Sequence, residues 1–291
     1  MLAWFRAFVY VVFFMGSSAW ADSTTTRWDE QQIIQYMTEH PNRCYFSDLF
    51  AKGGFRVGAE VGVAGGRFSE LFLLRNKDIG PWKWYMIEPF IHKDFLSRFP
   101  EGPAIGGGVG VSEKQKQHIN PNLTWSRRNI GTNAEKFVIQ DFSTSDKCVE
   151  RLRQEKFDFI YLDGAHDYQN VKRELPLAWP LIKPGGVLAG HDYCNHGEAP
   201  LPCKGCNNIP KCRPYTPYGH AQGKKLTGIS MNQKGVVTAV QEWVQQEHPE
   251  LTLYHTIENY TMESLAKDGF DYDIVISHSY NPSWFFVKPK N

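Results

Sequence analysis

The stretch Val57–Ser69, VGAEVGVAGGRFS, is the part of the chain that decides its fold. An apolar run that contains one acid, Glu60, leads into a turn of closely spaced glycines, and a helix-forming segment follows. A strand, a glycine turn and a helix in this order let backbone N–H groups approach a nucleotide-like ligand closely. The spacing E-x-G-x-x-x-G also occurs in ordinary turns of α/β proteins, so other parts of the sequence have to support the assignment.

Further apolar runs follow along the chain, and an acidic residue comes at or just after the end of each. The runs are Trp84–Ile87, Lys136–Gln140, Phe157–Leu162 and Gly186–Gly190, and the acids are Glu88, Asp141, Asp163 and Asp192. In a parallel sheet the carboxyl ends of the strands lie along one edge, where ligands bind. The pattern therefore predicts an α/β fold with an open, doubly wound, mostly parallel sheet whose acids meet in one crevice.

Composition limits the possible classes of protein. With 291 residues, 42% of them hydrophobic, the chain can bury one sizeable core, and one large α/β domain fits better than two small ones. The formal net charge is +1, which gives no electrostatic footprint for nucleic acid. A nucleic-acid partner is therefore disfavoured.

The first residues have the pattern of an export signal. A short positively charged start precedes the apolar run Ala7–Met15, and the small-residue pattern Ala19-Trp20-Ala21 follows. We expect residues 1–21 to be a signal peptide, so that the mature protein is secreted or lumenal in the secretory pathway and has no stable membrane span. The alternative is an uncleaved membrane anchor, but the apolar run is shorter than the roughly 20 residues that cross a bilayer.

Residues 22–55 are predicted to form an N-terminal helical segment that precedes the main domain, residues 56–291. Apolar residues such as Ile33 and Met37, together with the early acids Asp29 and Glu30, indicate an amphipathic helix. We expect this helix to pack beside the sheet, and a position over the substrate is the alternative.

Six cysteines are present, and in an oxidising compartment an even number favours disulfides. A Pro/Gly/Asn-rich insertion, residues 193–223, holds four of them: Cys194, Cys203, Cys206 and Cys212. Zinc binding is the alternative, since four cysteines are a sufficient ligand set, although the spacing C-x8-C-x2-C-x5-C contains only one C-x2-C pair. The other two, Cys44 and Cys148, either bridge the N-terminal segment to the helix after Asp141 or stay buried and free.

Several motifs agree with one protein family in their order and spacing. They are EVG at 60–62 with Gly66, IEP at 87–89, YLDGAHDY at 161–168, LIKPGG at 181–186, GHDY at 190–193, GVVTAVQEW at 235–243 and WFFVK at 284–288. On these motifs, over residues 45–288, the chain resembles the class I S-adenosylmethionine-dependent methyltransferases, especially the metal-dependent O-methyltransferases. The resemblance implies a Rossmann-like fold with the cysteine-rich insertion after the fifth strand. It also implies methyl transfer to a hydroxyl group of a small molecule or glycan.

The resemblance places the cofactor S-adenosylmethionine along the predicted crevice. The turn from Gly62 to Gly66 would lie under its amino acid part, and Asp141 would lie near the adenine. Glu88, after the second strand, is placed to accept both ribose hydroxyls, although a structural pairing with a lysine is the alternative. The full set of predicted cofactor-binding residues is Glu60, Gly62, Gly65, Gly66, Glu88, Asp141 and Asp163.

A second group of polar residues follows the fourth and fifth strands: Asp163, His166, His191 and Asp192. In the metal-dependent relatives, acids at the positions of Asp163 and Asp192 hold a magnesium ion, which would lower the pKa of a bound hydroxyl. Where relatives have a second acid, this chain has His191, and imidazole suits softer divalent metals better than magnesium. The predicted metal ligands are Asp163, Asp192 and His191, for Mg²⁺ or another divalent metal.

The histidines are also candidates for acid-base chemistry, because an unperturbed imidazole titrates near neutral pH. The predicted catalytic residues are His191, His166 and Asp163. His191 is preferred as general base because it ends a strand at the crevice, whereas His166 begins a helix and has capping or packing as its alternative role.

Two other functions stay open at this point. One is a catalytically inactive secreted binding protein on the same fold, and the other is an NAD-dependent oxidoreductase. The second is disfavoured because the turn lacks the spacing G-x-G-x-x-G. The cysteine-rich insertion begins directly after Asp192, and we expect it to lie over the crevice and to shape the acceptor pocket with Tyr193, Tyr215 and Tyr218.

Overall fold

The computed structural model describes residues 26–63, 66–89, 133–194, 201–212, 234–258, 262–270 and 281–290. The predicted signal peptide, Gly65, Tyr215 and Tyr218 lie outside the described residues.

Strands and helices alternate through the central part of the chain. In order, the elements are α1 (Glu30–Glu39), a 3₁₀ helix (Arg43–Ser47), α2 (Asp48–Ala51), β1 (Val57–Val61), α3 (Arg67–Arg75), β2 (Trp82–Ile87), β3 (Ala134–Ile139), α4 (Asp146–Arg153), β4 (Phe157–Leu162), α5 (Tyr168–Ala178), a second 3₁₀ helix (Trp179–Leu181), β5 (Ile182–Gly190), α6 (Lys234–Glu247), β6 (Tyr254–His255), α7 (Met262–Lys267) and β7 (Trp284–Val287). All the strands predicted from apolar runs are present. β5 begins four residues earlier than predicted. Its first residues include the half-buried Lys183 and the exposed Pro184, which interrupt the apolar pattern used to predict the strand.

The described strands form one seven-stranded sheet in the order β3-β2-β1-β4-β5-β7-β6. β1 to β5 are parallel, while β7 runs antiparallel to both β5 and β6. The strand order reverses between β1 and β4, and ligands bind outside the carboxyl ends of the strands at such a point. The predicted open, mostly parallel α/β sheet is confirmed.

Both faces of the sheet are covered, which explains why the parallel strands are continuous apolar runs. On one face the aromatic rings of Phe50, Phe72 and Trp84 form part of a buried cluster, with Phe72 and Trp84 stacked at 4.5 Å between ring centroids. On the other face α5 and α6 pack together, and Trp179 and Trp243 belong to the second buried cluster. Both faces of the sheet are therefore packed against other elements, and its carboxyl edge is the part that can bind a ligand.

The predicted amphipathic helix in the N-terminal segment is confirmed as α1. Asp29 caps it in a reciprocal capping box with Gln32, and Ile33 and Met37 are buried in the core. The 3₁₀ helix that follows, Arg43–Ser47, is buried along its whole length. This segment thus completes one layer of the core and leads Arg43 to the sheet.

The cysteines of the insertion form two disulfide pairs. Cys194 pairs with Cys212 and Cys203 with Cys206, at Cα separations of 4.8 and 5.2 Å. Among the described residues, which include all six cysteines, no group of three or more His, Cys, Asp or Glu side chains is arranged to hold a metal ion. The disulfide prediction therefore fits the structure. Cys44 and Cys148 are buried and free, on opposite faces of the sheet.

The described part of the insertion, residues 201–212, packs against α6. The backbone N–H of Leu201 donates to Gln241 Oε1 at 2.9 Å, and Gln245 Nε2 donates to the carbonyl oxygen of Pro202 at 3.1 Å. Tyr193 is completely buried, and its hydroxyl accepts a hydrogen bond from Gln241 Nε2 at 2.8 Å. Tyr193 and residues 201–212 thus pack beside α6, and the position of the insertion over the crevice stays a prediction.

Within the described ranges, every helix is too short or too polar to cross a bilayer.

Candidate active site

The glycine turn after β1 packs directly on the loop after β4. Gly62 has a left-handed backbone with φ +82°, and a Cβ there would overlap the backbone of Asp163 and Gly164. Only glycine fits such a position without strain. The N-terminus of α3 then begins at Gly66, which also has a positive φ of +76° and provides no side-chain cap. The N-terminus of a helix with no side-chain cap has backbone N–H groups that favour anionic ligand groups.

Glu60 is fixed inside the fold by a hydrogen-bonded chain. The Ser69 hydroxyl donates to Glu60, and Trp84 Nε1 donates to that hydroxyl oxygen at 2.8 Å. Burial raises the pKa of the Glu60 carboxyl well above its ordinary value, and the nearby acids Asp163 and Glu88 raise it further. The side chain thus joins β1, α3 and β2 and orients the turn, while its contact with a cofactor stays a prediction.

Glu88 and Asp141 stand at the carboxyl ends of the adjacent strands β2 and β3. Both are buried, and the backbone N–H of Glu88 donates to the carbonyl oxygen of Ile139 at 3.0 Å. Asp141 Oδ1 accepts the backbone N–H of Phe142 at 2.8 Å, and the Phe142 ring is 44% exposed beside it. These acids are therefore placed on the predicted edge, on the β2 and β3 side of the glycine turn.

The predicted acid and histidine cluster is brought together at the ends of β4 and β5. His191 Nδ1 lies 3.1 Å from Asp163 Oδ1 and 3.3 Å from Asp192 Oδ1. His166 Nδ1 lies 3.3 Å from Asp192 Oδ2, and Asn281 Nδ2 donates to Asp192 Oδ1 at 2.9 Å. His191 is 4% exposed, whereas the His166 side chain is 39% exposed. His191 is thus the inner histidine and His166 the outer one.

Mutual charge interactions stabilise this cluster. Burial raises the pKa of the Asp163 carboxyl, but the charges of His191, His166 and Arg43 outweigh burial and hold the pKa well below its ordinary value. Burial lowers the pKa of His191, but the charges of Asp163 and Asp192 outweigh it and raise the pKa. Both carboxylates face Nδ1, and Nε2 of His191 is buried with no hydrogen-bond partner among the described residues. The ring is therefore oriented with Nε2 available to accept a proton.

Three residues of this region were not predicted from the sequence: Arg43, Glu258 and Asn281. Arg43 Nη1 lies 3.9 Å from Asp163 Oδ2, and its guanidinium lies over the Phe68 ring at 5.8 Å. Glu258 Oε1 accepts the backbone N–H of Arg43 at 2.8 Å and the hydroxyl of Thr256 at 2.7 Å. A charged residue within the aromatic run RCYFSDLF, residues 43–50, was the one available signal for Arg43.

His166 does not cap the helix that follows it. The N-cap of α5 is Asp167, whose side chain accepts the backbone N–H groups of Gln169 and Asn170, both at 3.1 Å. The alternative capping role considered for His166 is therefore wrong, and its side chain is turned to the two acids instead.

The described donors do not fit a resident metal ion in this arrangement. The His191 imidazole contacts both carboxylates, and no set of three such side chains in the described residues is arranged to hold a metal. Metal binding by Asp163, Asp192 and His191 stays a prediction, and no chemical step is derived from it.

The family comparison covers the same part of the chain. A family model described as a methyltransferase domain matches residues 59–193. That segment contains β2 to β5 and three of the five residues of β1, so Glu60, Gly62, Gly66 and the acids after β2, β3, β4 and β5 lie within it. No curated protein matches the chain in sequence.

Solved structures provide distant likenesses. An O-methyltransferase from Bacillus cereus in complex with SAH is 16% identical, with 89% of this chain and 90% of that chain covered and a TM-score of 0.40. TomG from Streptomyces achromogenes, an O-methyltransferase involved in tomaymycin synthesis and solved with SAM, is 13% identical, with 90% and 91% covered and a TM-score of 0.39. The MycE methyltransferase of the mycinamycin pathway, solved with Mg, SAH and mycinamycin VI, is 15% identical, with 87% and 49% covered and a TM-score of 0.38.

The class of the protein follows from the family match and from the strand order, not from these distant likenesses. Residues 59–193 match a methyltransferase domain, and the sheet has the strand order of the class I S-adenosylmethionine-dependent methyltransferase fold. This match supports a methyltransferase and gives no support to the alternative of an NAD-dependent oxidoreductase.

Proposed function

We propose that the enzyme methylates a hydroxyl group of a small-molecule or glycan acceptor, and that His191 removes the hydroxyl proton. The observation that carries this proposal is the burial of His191 with Nδ1 held by Asp163 and Asp192 and with Nε2 unpartnered among the described residues. The same relation of acid, imidazole and open ring nitrogen orients the general base in other transfer enzymes.

The carboxyl edge has groups suited to each part of S-adenosylmethionine. Glu88 is assigned to the ribose hydroxyls, Asp141 to the adenine side, and the turn of Gly62 and Gly66 to the amino acid part. The fit rests on the absence of space for a side chain at Gly62 and on the concentration of acids beside it, which suits a cationic ligand. When bound, the cofactor supplies a methyl group on a sulfonium cation.

The proton is transferred within the cluster. A hydroxyl proton passes to His191 Nε2, and the imidazolium that forms is stabilised by Asp163 and Asp192 on its Nδ1 side. Arg43 lies near Asp163 and Asn281 donates to Asp192, so both carboxylates are held in place while the charge on the ring changes. General-base catalysis of this kind contributes about 10²–10⁴-fold to a rate, and the remaining acceleration comes from alignment and exclusion of water.

Export is part of the proposal. The two disulfide pairs of the insertion are typical of an oxidising compartment, which supports the signal peptide predicted from residues 1–21. The acceptor would then be a molecule of the secretory pathway or the extracellular space.

The proposal is tested on the full chain produced in an oxidising host, with its processing defined by mass spectrometry. Titration calorimetry with S-adenosylhomocysteine, with and without Mg²⁺, measures cofactor binding. Labelled S-adenosylmethionine with a panel of hydroxylated acceptors then measures transfer. Absence of binding by a folded sample would contradict the cofactor assignment, and binding without any transfer would favour the inactive binding protein.

A further inference from the structure

Glu174 is a buried acid that the proposed chemistry does not use. It lies on α5, is 6% exposed, and accepts a hydrogen bond from the Ser143 hydroxyl to Oε1 at 2.5 Å. Ser143 stands two residues after Asp141, in the loop that follows β3. Glu174 therefore holds, from α5, the loop that carries one of the predicted cofactor residues.

The same carboxyl group also faces the loop after β4. A Cβ built on Gly164 would lie 3.3 Å from Glu174 Oε1, so the Gly164 backbone lies close to this carboxyl oxygen. Gly164 is next to Asp163, and the backbone of both residues packs against Gly62 of the glycine turn. Contacts thus run without a gap from the turn after β1, through the loop after β4, to Glu174 and Ser143.

Glu174 lies between an apolar cavity and a smaller one that His166 and His191 also line. The side chain borders a cavity of about 30 Å³ whose other walls include Ile87, Leu152 and Leu162. Burial raises the pKa of Glu174 to about 7, against a smaller lowering by the Ser143 hydrogen bond, and the charge of Asp167 raises it slightly more. A carboxyl group in such a place costs free energy unless it makes a specific polar contact, and Ser143 supplies that contact.

We propose that Glu174 is a positioning residue of the cofactor site, which fixes the Asp141 loop relative to the Asp163 loop through Ser143 and Gly164. The inference rests on the proposed cofactor site, and Glu174 itself is not assigned a contact with cofactor or acceptor. A rigid loop pair keeps Asp141 in place before the cofactor arrives, so less ordering is needed on binding.

Matched variants separate this role from simple packing. Glu174→Leu removes the acceptor oxygen, Ser143→Ala removes the donor, and Glu174→Gln keeps an oxygen that can accept the Ser143 hydrogen bond. We expect Glu174→Leu and Ser143→Ala each to weaken S-adenosylhomocysteine binding about 5- to 10-fold. The double variant should bind S-adenosylhomocysteine no less tightly than the single variant with the lower affinity, because both changes remove the same hydrogen bond. Glu174→Gln should stay within about twofold of the parent, as should Arg173→Gln, an exposed neighbour on α5.

Amide hydrogen exchange in the loop Phe142–Ser145 provides a readout that does not depend on ligand. Exchange should be faster in Glu174→Leu and Ser143→Ala, and unchanged in Glu174→Gln. Unchanged exchange and affinity in folded Ser143→Ala, or additive effects in the double variant, would overturn the positioning role. If the parent protein fails to bind S-adenosylhomocysteine, the proposed function fails, while the exchange experiment still decides whether Glu174 fixes the loop. Ser143→Ala removes only a hydroxyl group, so it can still be used to test the positioning role if Glu174→Leu does not fold.

Discussion

His191 Nδ1 lies 3.1 Å from Asp163 Oδ1, so the residues that directly follow the adjacent parallel strands β4 and β5 form an acid and imidazole contact at the carboxyl edge. Asp192 faces the same ring nitrogen at 3.3 Å. The two acids together fix which side of the ring is available for chemistry. This contact determines the first prediction.

Replacing His191 by Asn should lower the rate of methyl transfer by about 10²–10⁴-fold, because the hydroxyl proton loses its acceptor. Affinity for S-adenosylhomocysteine should change by no more than about threefold, since the cofactor groups are assigned to β1, β2 and β3. Steady-state kinetics and calorimetry measure the two effects. The control is His248→Asn, whose imidazole pairs with Glu250 at the end of α6. Full activity of His191→Asn would show that another group takes the proton.

Chelation of divalent metals should leave the rate within about twofold of the untreated enzyme. The reason is that the described side chains of Asp163, Asp192 and His191 contact one another and are not arranged as a set of metal ligands. Activity is measured in EDTA and after Mg²⁺ is restored. Loss of activity in EDTA that is recovered by Mg²⁺ would establish a metal requirement, as predicted from the sequence. It would also contradict the assignment of His191 as the sole group that activates the hydroxyl.

Gly62→Ala should abolish S-adenosylhomocysteine binding and lower the free energy of unfolding by about 2–4 kcal/mol, from a left-handed backbone and from overpacking. A Cβ at this position meets the Asp163 carbonyl group. Calorimetry and urea unfolding measure the two quantities. Gly80→Ala is the matched control, because no described atom lies within 4 Å of a Cβ there. Normal binding by Gly62→Ala would mean that this turn is not part of the cofactor site.

Some of the structural features behind these predictions could be recognised from the sequence, and others could not. Apolar runs followed by acids were sufficient to locate β1 to β5, because strands covered on both faces are mostly apolar. The early acids Asp29 and Glu30 similarly marked the start of α1, which the structure places at Glu30. In contrast, Asn281 is separated by 89 residues from Asp192, its hydrogen-bond partner, and no local pattern indicates that contact.

For the cysteine-rich insertion, too, local composition could be interpreted from the sequence but contacts with distant segments could not. Its cysteine count and composition correctly indicated disulfide pairing, but its position depends on Gln241 and Gln245, which a helix pattern presents only as polar residues of α6. Arg43 reaches the site because the N-terminal segment packs on the sheet, which is a property of the whole core. Chemistry at strand ends was therefore predictable, and contacts between distant segments were not.

Glu88→Ala should weaken S-adenosylhomocysteine binding at least about 30-fold, because hydrogen bonds to a charged acceptor each contribute about 1.5–3 kcal/mol. The fold should be retained, since the backbone N–H of Glu88 still donates to Ile139. Calorimetry gives the affinity, and circular dichroism confirms folding. Glu135→Gln, an exposed acid on β3, is the control. An unchanged dissociation constant would contradict the ribose assignment.

The raised pKa of Glu174 makes stability depend on pH in a defined direction. In the folded protein this pKa is about 7, against an ordinary value of 4.5. Between these values the folded state keeps a proton that the unfolded state has lost, so stability falls as pH rises through this window. The full change for this one group is about 3 kcal/mol.

Glu174→Gln removes the titrating group at this position. As pH rises from 4.5 to 8, the parent should therefore lose about 3 kcal/mol of unfolding free energy relative to the variant. Urea unfolding at both pH values, with the disulfides intact, measures the difference. Glu263→Gln, on the exposed side of α7, should show no such change. A parallel pH dependence in Glu174→Gln and the parent would mean that Glu174 is ionised in the folded protein, with its charge stabilised by contacts beyond the Ser143 hydrogen bond.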